Sequence, residues 1–128
     1  MSHPYHHALS SAKRFGGVPE DYLAIHQWFD ASKELMADPR HRALRHHAQG
    51  IFEAERVFGV AITNSAGRAV PVRLIGEQHV QEDLGFIPSV EEWFRHIALQ
   101  PWMHRGVDRQ VNRLTLADLA GGKAGPTD

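Results

Sequence analysis

Residues 59–75 read GVAITNSAGRAVPVRLI, and this stretch decides the fold class. Val60–Thr63 and Ala69–Ile75 are apolar and rich in β-branched residues. The polar segment Asn64–Arg68 between them contains Gly67, the composition of a hairpin turn. Pro71 has no N–H to give to a ladder, so the second strand is expected at a sheet edge. On both sides of this segment the apolar residues recur every three or four positions instead, which is the period of a helix.

Working upstream, Asp38-Pro39 is a helix start with Asp as N-cap and Pro at the first position. It predicts a third helix running from there to Phe58 and stopping at Gly59. Before it, a helix from Pro19 carries Glu20 and Asp21 in its first turn, with Tyr22, Ile25, Trp28, Phe29, Ser32 and Met36 inward. A first helix over 4–14 presents Tyr5, Ala8, Leu9 and Ala12 as its apolar side and ends at Gly16-Gly17. Downstream, a short helix over 77–84 closes at Gly85, and Ser89-Val90-Glu91-Glu92 opens a fifth as a capping box. The reading is an α+β fold, a mostly helical single domain of about five helices over 1–104. One β-hairpin lies between the third and fourth helices. Residues 105–128 form a C-terminal extension expected to be partly disordered, given its low apolar density and the ending GGKAGPTD.

The composition narrows the chemistry. With 128 residues and 42% hydrophobic content the chain can close one core. No apolar run approaches the ~20 residues that span a bilayer, and no secretory leader pattern opens the sequence, so a cytoplasmic protein is expected. The absence of cysteine excludes disulfides, thiolate metal sites and a cysteine nucleophile. A net charge of -1 gives no field to attract nucleic acid. The sequence contains no H-E-x-x-H, P-loop, G-x-G-x-x-G or G-x-S-x-G signature.

What remains unusual is histidine, ten of them. RHRALRHHAQG over 40–50 holds three, and on a continuous helix Leu44, Ala48, Ile51 and Phe58 would form the buried stripe. That wheel points His46 outward with Arg42 and Arg45, and turns His47 and Glu55 inward. His79 and Glu82, three apart, reach one point from a single helix. His3 and His7 are four apart, as are His26 and Asp30. Each pair also has a plain explanation as a solvated helix face or a satisfied polar contact. His41, His96 and His104 read as surface residues.

HPYHHALSSAKRFGG, HRALRHHAQGIFEAERVFG and GEQHVQEDLG together resemble an uncharacterised family of small His-rich bacterial and phage-associated proteins. The resemblance covers residues 3 to about 103 and brings no activity with it.

The expected function is a small metal-binding domain in which His7, His26, His47 and His79 share one divalent ion. Zinc is first, with iron, nickel or manganese behind it, because imidazole and carboxylate oxygen are the donors on hand. Three protein ligands and a water would make a metal-dependent hydrolase with Glu55 or Glu82 as general base. Four ligands would make the ion structural. The alternative is a non-catalytic protein-interaction module, a phage or host accessory factor, with its histidines dispersed over the exterior. The partner is then another protein rather than a small molecule. The Pro71 edge and the arginine face are two surfaces suited to a homodimer.

Overall fold

The computed structural model describes residues 3–107. The expected helix–hairpin–helix order is what it contains. Helices α1 (Pro4–Phe15), α2 (Glu20–Asp30) and α3 (Ala48–Phe58) precede strands β1 (Ala61–Thr63) and β2 (Ala69–Pro71). Helices α4 (Val72–Leu84) and α5 (Val90–Phe94) follow, and 3-10 turns occupy Ala31–Glu34, Pro39–Leu44 and Pro101–His104. Among the described residues one compact unit ends at His96 and a second begins at Ile97. Most of the 105–128 extension falls outside the described residues. Among the described residues no helix is long and apolar enough to cross a membrane.

The hairpin pairs Ala61 with Pro71, Ile62 with Val70 and Thr63 with Ala69, antiparallel. Asn64 ties its turn: Oδ1 accepts from the backbone N–H of Ala66 and Arg68, while Nδ2 donates to Tyr22 Oη at 3.0 Å. Gly67 sits at φ +82°, where a side chain would be strained.

Two boundaries differ from expectation. The second strand ends at Pro71, and Val72–Ile75, read as strand, form the first turn of α4. Five of its six buried residues, Val72, Ile75, Gly76, His79 and Val80, have helical spacing, i, i+3, i+4, i+7, i+8, and Gln78 is the sixth. Pro71 also fits a helix start as well as a strand end. The β-branched content of 72–75 is local, whereas the period becomes visible only when it is followed through to Val80.

The expected third helix is broken into the 3-10 turn and α3, with His47 extended at φ −165°, ψ 174°. The His47 ring causes the break by capping α3, Nδ1 accepting from Gly50 N–H at 2.9 Å. Gly50 permits it, because a Cβ there would collide with the Arg45 carbonyl. Leu44 is consequently exposed rather than buried.

The core comprises Ala8, Phe15, Tyr22, Ile25, Phe29, Ile51, Ala54, Val70, Val72, Ile75 and Val80. Gly76 brings α4 close to its neighbours: a Cβ there would stand 3.0 Å from Phe29 Cζ and 3.3 Å from Ile51 Cγ2. This close approach is what sets His79, one turn further on, deep in the interior.

Candidate metal centre

Three helices contribute residues four apart, which share a helix face. These are His7 and Ser11 on α1, His26 and Asp30 on α2, and His79 and Asp83 on α4. Their faces meet in the interior, and His46 enters from the break before α3. His7, His26, His46 and His79 are at most 1% exposed. Stacked and edge-on imidazoles fill the space between them, with ring centroids of His7 and His79 3.9 Å apart and of His46 and His79 5.0 Å apart.

Four groups converge. His46 Nε2 lies 2.9 Å from Asp83 Oδ2 and 3.5 Å from Asp30 Oδ1. His79 Nε2 lies 3.2 Å from the same Asp83 oxygen and 3.3 Å from the same Asp30 oxygen. One donor atom from each of Asp30, His46, His79 and Asp83 lies within 4.8 Å of all the others. Around a tetrahedral ion with bonds of about 2.0–2.1 Å, donor atoms stand about 3.3–3.4 Å apart. The four measured edges bracket that value, so these residues could hold a metal ion.

The electrostatics fit the same picture. Burial alone would push the Asp83 carboxyl up, but hydrogen bonds from His46, His7 and His79 hold it well below the usual carboxylate range. Asp30 behaves likewise, burial being outweighed by His46 and His79. Both carboxylates are therefore ionised at neutral pH, and two of them balance a dication. Asp30 Oδ2 and His46 Nδ1 are buried with no hydrogen-bond partner among the described residues. Neither is the atom of its residue that faces the common point, so each is a local cost of burial and is separate from the convergence of Asp30 Oδ1 and His46 Nε2.

A second ring of residues supports the first. His7 sets both nitrogens against carboxylates, Nδ1 to Glu82 Oε1 at 2.7 Å and Nε2 to Asp83 Oδ1 at 3.1 Å. Carboxylates only accept, so both nitrogens donate and the ring is an imidazolium. Burial opposes that charge, yet the bonds to Asp83 and Glu82 raise its pKa overall. His26 has the opposite character: burial, then the neighbouring His79 and His7, lower its pKa to about 2. Arg42 NH2 approaches Asp83 Oδ1 at 3.7 Å. Trp93 of α5 donates its indole N–H to the His46 carbonyl at 3.0 Å, fixing the peptide that carries this imidazole.

Of the four imidazoles expected to share an ion, only His79 enters the converging set. His7 and His26 flank it, one bonded to Asp83 and the other to His79. His47 is corrected from ligand to helix cap. Its Nδ1 accepts from Gly50 and its Nε2 donates to the Ala43 carbonyl at 3.0 Å, leaving no free lone pair. Glu82 faces outward at the rim, in an open depression with Ser10, Arg14, Glu77 and Gln81, and reaches the centre only through His7. Glu55 is half-buried in a separate depression with Gln49, Phe52 and Val60.

His46, Asp30 and Asp83 were not expected as ligands, and His46 and Arg42 were expected to point into solvent. The helix break between Arg45 and Ala48 reverses His46 and carries Arg42 toward Asp83. His41, expected on the surface, is 2% exposed, with Nδ1 bonded to Ser32 Oγ at 2.8 Å. The i, i+4 repeats His26/Asp30 and His79/Asp83 were the sequence signal available for the two carboxylates. Six of the ten histidines are buried, namely His7, His26, His41, His46, His47 and His79, rather than dispersed over the exterior.

No curated protein and no solved structure matches the chain. A family model does match, over a span that includes every converging residue. The chain belongs to the family described as Domain of unknown function (DUF6915), whose model matches residues 2–103.

Proposed function

We infer that this domain binds one divalent metal ion, zinc foremost, through Asp30, His46, His79 and Asp83, and that the ion is structural. The carrying observation is the set of four donor–donor distances, 2.9–3.5 Å, around a common point. Two imidazole nitrogens and two carboxylate oxygens suit zinc, and four protein donors match a closed tetrahedral site. Side-chain exposures of 0–6% for the four leave no route for a substrate. A hydrolytic centre would instead need an open position for water. The expected bases also stand apart, Glu82 behind His7 and Glu55 in its own depression. The ion would clamp α2, α4 and the break before α3, with α1 held through His7.

Metal content by elemental mass spectrometry, on untagged protein purified without a nickel column, tests this reading. About one ion per chain, with melting temperature lowered by a chelator, is the expected result. A chain that arrives metal-free, takes up no added Zn2+ and melts unchanged would overturn it. A non-catalytic module with a purely hydrogen-bonded interior would then stand in its place.

A further inference from the structure

The chain Gln78–Ser11–His26–His79 has a direction that its own chemistry fixes. Gln78 bonds the His7 carbonyl at 3.0 Å, and a carbonyl only accepts, so the Gln78 atom facing it is the amide nitrogen. Its oxygen, Oε1, then faces Ser11 Oγ at 2.9 Å and takes the single hydroxyl proton. Ser11 Oγ, having given that proton, can only accept from His26 Nε2 at 2.8 Å. His26 is fully buried, and its two nitrogens face only this hydroxyl and another imidazole, so nothing bonded to it favours a charged ring. With its proton on Nε2, the His26 Nδ1 must accept, and His79 Nδ1 must donate across their 2.9 Å contact.

We propose that Gln78, Ser11 and His26 are positioning residues that lock the His79 proton onto Nδ1 and so present its Nε2 lone pair to the metal. This inference rests on the metal-centre reading for its purpose and on the hydrogen-bond chain for its geometry. Nε2 stands 3.2–3.3 Å from two carboxylate oxygens, an arrangement that needs positive charge between them, a proton on Nε2 in the metal-free chain and the ion in its place when metal binds. The arrangement is what metal-binding histidines commonly use: the nitrogen that does not bind the ion donates to an outer partner, which fixes tautomer and ring orientation. Here the partner is unusual, a second imidazole, itself set by a serine and a glutamine. All three belong to helices that also carry ligands or flank them, so the packing of α1, α2 and α4 enforces the tautomer.

The test is long-range 1H–15N NMR of the 15N-labelled full chain, metal-free and loaded with Zn2+. His26 is expected to carry its proton on Nε2 in both states. In the zinc form His79 is expected to be protonated at Nδ1 and metal-bound at Nε2. His26 protonated at Nδ1 in the zinc form would overturn the relay while leaving the metal centre intact. A chain that binds no zinc but shows His26 protonated at Nε2 would overturn the metal centre and support the relay. Ser11→Ala is expected to weaken Zn2+ binding about 10–100-fold, and Ser11→Thr, which keeps the hydroxyl, to restore it. Unchanged affinity in Ser11→Ala would count against the relay.

Discussion

His46 and His47 are neighbours in sequence with opposite duties, and replacing each by alanine separates them. In the wild-type chain, free zinc at a hundred times its dissociation constant is expected to stabilise the folded state by about 2.7 kcal/mol. For a chain of this length that amounts to roughly 10 °C in Tm. His46→Ala removes one of four converging donors and is expected to bring the zinc-dependent shift close to zero. His47→Ala removes a helix cap, about 1 kcal/mol, and the bond to the Ala43 carbonyl, about 1 more. Its baseline Tm should therefore fall by roughly 8 °C, while the zinc-dependent rise survives nearly whole. Circular dichroism melts of both variants, with chelator and with added Zn2+, read the two quantities separately. Equal loss of the zinc response in both, or loss confined to His47→Ala, would refute the assignment of ligand and cap.

Asp83→Asn should cost about 3–5 kcal/mol in urea unfolding even without metal, since three imidazoles direct a nitrogen at its carboxylate. A loss below about 1 kcal/mol would show that this buried cluster is not held by charge. The metal-free chain should also lose stability as pH falls from 7 to 5. His26, depressed in the folded state to about 2, stays neutral while the unfolded chain protonates near 6.5. Its contribution is present above 6.5 and declines below, by about 2 kcal/mol at pH 5. His41 and His47, lowered mainly by burial, act in the same direction. His7, raised, contributes fully below 6.5 and less as pH rises above it, so it does not cancel the fall. Chelated protein unfolded in urea at pH 7, 6 and 5 would check this, with His26→Phe flattening the profile. Finally, Gly50→Ala should destabilise by about 3 kcal/mol or more and abolish zinc binding, because its Cβ would meet the Arg45 backbone. Retention of both zinc binding and stability in this variant would show that the break before α3 does not need glycine.

The sequence by itself determined the order of elements, because apolar period and turn chemistry are local properties. Asn64–Arg68 with Gly67 set the hairpin, Gly59 and Gly85 closed the helices before and after it, and Ser89 capped α5. It also determined that any metal would be met by imidazole and carboxylate, since no cysteine exists. His79 was singled out by its spacing to Glu82, three residues on, and the structure places it in the converging set with Asp83, four on. Which other histidines join it was decided by tertiary structure. A helical wheel assumes a continuous helix, and the His47 cap with Gly50 breaks that assumption at the residues that matter. The break reverses His46 and Arg42 relative to the wheel and makes His47 a cap. On α1, His7 and Ser11 turn inward although they are polar, and Tyr5 and Leu9 stay partly exposed, because α4 offers carboxylates and an amide to meet them. A polar side chain is buried when a partner is waiting. That partner lies 67–76 residues away in the chain, a separation that no window on the sequence spans.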